Sequence, residues 1–303
     1  MNSNVNCNYK NCIFPMDADI LPPSDDRIFK ALLTHPEAKS VLIDVISTVI
    51  ERKVIDVKVR NNELPIINID EKAERFDINC VIDSGEQIDV EMHSTAINEL
   101  GEGRDNFINK YLYYMTDLHS SQKSKGLKYS ELVRTYQVTF CCHPVFKDQK
   151  NFVSRFAMRT HDGKRLSDQI NMIIIELSKL NDILKKPVEK LTAFEKWSIF
   201  FKFAPDPVHR NLINDIITDK REISMAAALL QEISKDERER AILRSRRMAE
   251  TDYISNMLTA ESKGEQNAML KIARNMLIKD YTVESINELT GLSIEQIKKL
   301  IPF

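Results

Sequence analysis

Apolar and polar residues alternate with a period of two from Phe76 to Ile82 and again from Gln87 to His93, on either side of Asp83-Ser84-Gly85. That alternation predicts two strands of a β-hairpin. Phe76, Ile78, Cys80 and Ile82 share one face with Ile88, Val90 and Met92, and Asp77, Asn79, Val81 and Asp83 share the other with Gln87, Asp89, Glu91 and His93. Opposed residues of an antiparallel pair point to the same side of a sheet, so parity selects the turn. A two-residue loop would set Asp77 against Met92. A three-residue loop, Asp83-Ser84-Gly85, keeps the apolar residues together, gives Gly85 the positive φ, and sets Asp77 across from Glu91.

The remaining pattern predicts helices and strands in mixed order. Ser24 or Asp25 caps a helical stretch with Ile28, Phe29, Leu32, Leu33, Val41, Leu42, Val45 and Ile46 inward and a break at His35-Pro36. Lys53 to Arg60 reads as a strand. Leu100 to His119 reads as a helix with Phe107, Ile108, Tyr111, Leu112, Met115 and Leu118 inward, and further strands cover 136–142, 153–158 and 171–177. Past about Leu180 the pattern is helical to the end. Thr282 caps one short helix, Gly291 suits its left-handed C-terminal position, and Ser293 with Gln296 opens a second. The expected organisation is an extended arm over 1–24, an α/β core of mixed sheet and flanking helices over 25–180, a helical extension over 181–260 and a C-terminal helical hairpin over 261–303.

Composition changes this picture little. Forty-three basic and 45 acidic residues leave a net charge of −2, so attraction to nucleic acid must come from local patches. No apolar run approaches a membrane span, and the start lacks the pattern of a secretory signal, so the expectation is a cytoplasmic protein with no membrane partner. Five cysteines at unhelpful spacings give neither a disulfide framework nor a zinc ribbon. In Cys141-Cys142-His143, strand neighbours point to opposite faces and chelate one ion poorly.

The chemistry is carried by the hairpin. Asp77 and Glu91, roughly 5 Å apart at Cβ, would repel each other. Either a divalent cation offsets that charge, with His93 two residues along the same face, or the acids form a solvated strand face. Asp83 is explained by turn chemistry and Asp89 by a solvated strand position.

The same residues resemble the PD-(D/E)XK nuclease superfamily and, within it, the Rpn family of recombination-promoting nucleases, also described as transposases. The resemblance is carried by Asp26-Arg27-Ile28-Phe29-Lys30, Arg75-Phe76-Asp77, Gly85 followed by Val90-Glu91-Met92-His93, Arg104 ahead of Tyr111, and Leu289-Thr290-Gly291-Leu292-Ser293. It implies a metal-dependent endonuclease on double-stranded DNA with low sequence specificity, linked to recombination, transposition or phage defence. Mg²⁺, or Mn²⁺ in its place, would be bound by Asp77, Glu91 and the backbone carbonyl of Met92, with Asp77, Glu91 and His93 catalytic. Asp26 would hold a second metal or cap its helix, and Lys30, Arg104 and Lys110 would hold DNA phosphates. A homodimer is expected, since two sites cut two strands most simply. His93 departs from the family's Gln and the superfamily's Lys, which opens the alternative of a catalytically weakened DNA-binding or assembly module.

Overall fold

The computed structural model describes residues 13–60, 77–95, 103–122 and 128–300. Arg75 and Phe76 lie outside the described residues. Six strands form one sheet: β1 (Val57–Val59), β2 (Ile78–Ile82), β3 (Gln87–His93), β4 (Thr135–Cys141), β5 (Val153–Arg159) and β6 (Arg165–Glu176), in the order β1-β2-β3-β4-β6-β5. The pairs β1·β2, β2·β3 and β5·β6 are antiparallel; β3·β4 and β4·β6 are parallel. The helices are α1 (Asp26–Leu33), α2 (Lys39–Val49), α3 (Arg104–Ser120), α4 (Ala193–Phe203), α5 (Arg210–Asp219), α6 (Arg221–Lys235), α7 (Glu237–Ile278), α8 (Val283–Thr290) and α9 (Ile294–Lys298). Helix α3 connects the parallel strands β3 and β4, as a crossover must.

The hairpin has the three-residue loop that parity requires. Ile78 pairs with Val90 and Val81 with Gln87; Ile82 N donates to Glu86 O at 3.1 Å, and Gly85 sits at φ 85°. Continuing that register by one residue sets Asp77 opposite Glu91. Asp83 accepts from the amides of Ile55 and Asp56, so its carboxylate also ties the chain ahead of β1 to the turn.

Both faces of the sheet are covered. On one, Phe29 of α1, Phe140 of β4 and Phe201 of α4 meet with ring centroids 5.2–5.6 Å apart, and Trp197 stacks on Phe201 while its Nε1 donates to Asp44 at 2.6 Å. On the other, Phe107, Tyr111 and Met115 of α3 pack with Cys141, Val145, Phe146, Met172 and Ile174. The face that carries Gln87, Asp89, Glu91 and His93 is therefore roofed, and all seven residues of β3 are buried. The expected solvated position of Asp89 is corrected: it is 0% exposed, because α3 covers the polar side of the hairpin. Leu112, expected inward, is 40% exposed at the rim of that roof.

The predicted arm is strapped onto the helices along its described part. Phe14 is buried and exchanges backbone bonds with the Asn214 side chain, Leu21 N donates to Ser234 Oγ, and the buried Arg210 donates to the carbonyls of Ala18 and Ala204. The chain divides into two compact units after Arg240. The expected boundary at 260/261 falls inside α7, which is 42 residues long. The second unit has its own small core of Ala273, Ile286, Leu292 and Ile297. Its capping matches the sequence pattern: Thr282 and Ser293 cap α8 and α9, and Gly291 takes φ 68°. Among the described residues no helix is long and apolar enough to cross a membrane.

Candidate active site

Two carboxylates from adjacent strands lock each other in place. Asp77 N donates to Glu91 Oε1 at 2.8 Å, and Met92 N donates to Asp77 Oδ2 at 3.0 Å. One oxygen of each acid is thus pinned by backbone on or beside the other's strand. Asp89, two residues before Glu91 on the same face, accepts from Gln137 Nε2 at 2.8 Å.

Burial raises the proton affinity of all three acids, and neighbouring carboxylates add to the rise. Burial pushes Asp77 up to about 6, with Asp26 adding to the rise and Lys30 and Lys110 opposing it. Burial takes Asp89 up to about 8, helped by the charge of Asp77. Glu91 is raised by burial, then by Asp89 and Asp77. A site that destabilises three carboxylates in their charged form is one that a divalent cation would relieve.

His93 sits deeper than a solvent-exposed base. Its ring meets Phe107 and Tyr111 edge-on, with centroids at 4.9 and 6.1 Å, and its Nδ1 lies 3.2 Å from the Tyr111 hydroxyl. Burial, then the charges of Lys110 and His143, push its pKa down to about 4, so the imidazole is neutral at pH 7. Its buried Nε2 has no hydrogen-bond partner among the described residues. The helical period marks Tyr111 as a core residue and the family resemblance includes it, but neither assigns it to the site; its hydroxyl, 3.2 Å from His93 Nδ1, makes it part of it.

The other expected residues divide. Asp25, not Asp26, caps α1, accepting from Arg27 N and Ile28 N; Asp26 is the first residue of the helix, and Asp77 and His93 both feel its charge. Lys30 acts on Asp77 from the next turn. Lys110 acts on Asp77, Asp89, Glu91 and His93 alike. Arg104 lies elsewhere: its guanidinium stacks over Phe146 at 5.0 Å and rims an apolar cavity of about 320 Å³ with Ile108, Phe156 and Met172. Cys141 faces the α3 core, while Cys142 Sγ donates to Ser24 O, so the two thiols diverge as strand neighbours must.

A family model described as PD-(D/E)XK nuclease family transposase matches residues 23–260, most of the chain. The chain belongs to this family. The matched region contains the whole mixed sheet, both site acids and the helices α1 and α3 that flank them, and the PD-(D/E)XK assignment fits a nuclease. No curated protein and no solved structure gives a significant match.

PD-(D/E)XK nucleases generally use divalent metals, and the donor set fits one. Among the described residues no group of three or more His, Cys, Asp or Glu side chains is arranged to hold an ion. Two pinned carboxylates are nevertheless what Mg²⁺ takes from a protein, since it keeps several waters and substrate oxygens in its remaining positions.

The shifts also fix how the metal-free protein responds to pH. Raised acids keep protons in the folded state that the unfolded chain releases near pH 4, so their contribution is complete below that pH and is lost as pH rises toward about 8. His93 works oppositely, with stability gained between about 4 and 6.5. Above 6.5 only the acids remain. In chelator, the melting temperature is expected to fall by about 5 °C between pH 6.5 and 8.5, and Asp89→Asn is expected to flatten the decline. A melting temperature that rises over this window contradicts the buried-acid cluster.

Proposed function

We propose that this chain is a divalent-metal-dependent endonuclease that hydrolyses phosphodiester bonds of double-stranded DNA with little sequence preference. The observation that supports it most is the reciprocal pinning of Asp77 and Glu91 by backbone amides, which holds a half-buried and a buried carboxylate side by side on neighbouring strands. In this reading Asp77, Glu91 and the Met92 carbonyl hold Mg²⁺, or Mn²⁺ in its place. When bound, the ion supplies a Lewis acid that polarises the phosphodiester and makes water more acidic.

The chain's own groups do the rest. His93, neutral and oriented by Tyr111, uses Nε2 to position the attacking water. Asp26 enlarges the negative volume next to Asp77, where a second ion could be drawn. Lys30 and Lys110 meet the phosphates at the cut, and Arg104, on the other flank of α3, meets the backbone farther along the duplex. Cutting both strands calls for two copies of the chain. Transposition or recombination of mobile DNA is the setting that the family description favours.

One observation favours a second reading. The position where the family carries Gln is filled by an imidazole wedged against Phe107, so the chain could bind DNA with weakened or lost cleavage. Supercoiled plasmid with Mg²⁺ or Mn²⁺ tests both. Wild type is expected to nick and linearise it and Asp77→Ala to leave it intact; equal activity in the two ends the nuclease reading. If wild type is silent and His93→Gln cuts, the second reading holds.

A further inference from the structure

We infer that the apolar cavity beside α3 binds a small amphiphilic carboxylate, one anionic head on an unbranched hydrocarbon tail, with Arg104 receiving the head. This site shares no residue with Asp77, Glu91 and His93 and does not depend on the nuclease reading.

Helix phase gives the cavity its shape. Arg104, Ile108, Leu112 and Met115 recur at helical spacing and line one wall, while Met172 and Ile174 of β6 line the opposite side. Met115 follows Arg104 by eleven residues, so the wall runs about 16 Å along the helix axis. The volume of about 320 Å³ has room for roughly ten heavy atoms at about 30 Å³ each. Length and volume together suit one extended hydrocarbon chain.

The lining gives the chemistry. Ten of the eleven side chains around the cavity are apolar, and the exception is Arg104. A nucleobase or sugar placed there would lose its water and find no side-chain partner except one guanidinium, which disfavours both. That guanidinium lies over the Phe146 ring at 5.0 Å, and among the described residues no carboxylate pairs with it. A ring face supports the charge without using the N–H donors, which remain for a carboxylate.

At the mouth stand Leu112, Phe156 and Met158, 40%, 42% and 47% exposed. A tail laid along them takes that apolar surface out of water, and the methionine walls adjust to its shape. A second copy of the chain is the poorer occupant. The neighbouring edge strand β5 carries Arg155 and Arg159 and has bulges after Ala157 and Met158, features that oppose strand pairing between copies. A carboxylate on Arg104 also withdraws the cation that the nuclease reading gives to the duplex backbone.

The test is calorimetry on the full chain with decanoate, decanamide and decylammonium, with carbon-13 methyl-methionine NMR to place the ligand. Decanoate is expected to bind one per chain with a Kd of about 10 µM, and the other two at least about tenfold more weakly. The methyl signals of Met115, Met158 and Met172 should move, while those of Met248 and Met269, in the second unit, should not. Arg104→Gln should weaken decanoate about tenfold and leave decanamide unchanged; Leu112→Trp, at an exposed rim position, should block both. No saturable binding of decanoate up to about 1 mM, equal affinity for decanoate and decylammonium, or shifts confined to other methionines overturns the inference. So does a dimer in sedimentation that Leu112→Trp dissociates, because a second copy then covers the mouth.

Discussion

Glu91→Gln is expected to abolish DNA cleavage and, in the absence of metal at pH 8, to make the protein more stable. The two effects have one cause. Glu91 is almost fully buried beside Asp89 and Asp77, and its charged form is disfavoured by desolvation and by both neighbours. The amide keeps a carbonyl oxygen to accept from Asp77 N, as Oε1 does now at 2.8 Å, and its NH₂ can donate to Asp89. Repulsion is removed and packing retained, a gain of about 2 kcal/mol and several degrees in melting temperature. An amide is a poor ligand for Mg²⁺, so cleavage should drop about 1,000-fold or more, equivalent to ~4 kcal/mol of activation free energy. Thermal unfolding in chelator and plasmid cleavage with Mg²⁺ read the two effects separately. Destabilisation together with retained cleavage would mean that Glu91 is an ordinary structural acid.

Glu176→Ala is expected to be the most damaging substitution outside the site. This carboxylate, 0% exposed at the end of β6, accepts from Val145 N at 2.7 Å and Phe146 N at 3.0 Å and pairs with Lys179 Nζ at 2.7 Å. It anchors the loop that leaves β4, where Phe146 supports Arg104, and Lys179 also donates to Phe146 O at 2.6 Å. Truncation strands two buried amides and takes the counter-charge from Lys179, which keeps only the Phe146 carbonyl, at a cost of about 3–5 kcal/mol. Glu176→Gln keeps an acceptor for the amides and should cost about half as much. Urea unfolding measures both; a loss below about 1 kcal/mol for the alanine variant would show that the loop is held by something else.

The elements that local rules govern were legible in the chain. Period-two alternation and a single glycine determined the hairpin register, and with it the meeting of Asp77 and Glu91. Capping chemistry gave the start of α1, both ends of α8 and the start of α9. What was not legible depends on groups far apart in sequence. Alternation reports which residues share a strand face but not what covers that face, so Asp89 looked solvated until α3 closed over it. The phase of α3 was available, however: residues six apart on a helix differ by about 240°, which already separates Arg104 from Lys110. Glu176 closes an apolar run, and nothing local reveals that its partners are amides some thirty residues earlier.

The central claim is that Asp77 and Glu91 converge to hold a divalent cation, and anomalous scattering from crystals of the protein grown with Mn²⁺ tests it most directly. The account predicts a strong peak about 2.0–2.4 Å from a carboxylate oxygen of each residue, weakened or gone in Glu91→Gln. No peak between the two acids at a Mn²⁺ concentration that supports cleavage, or carboxylates turned away from one another, would contradict it.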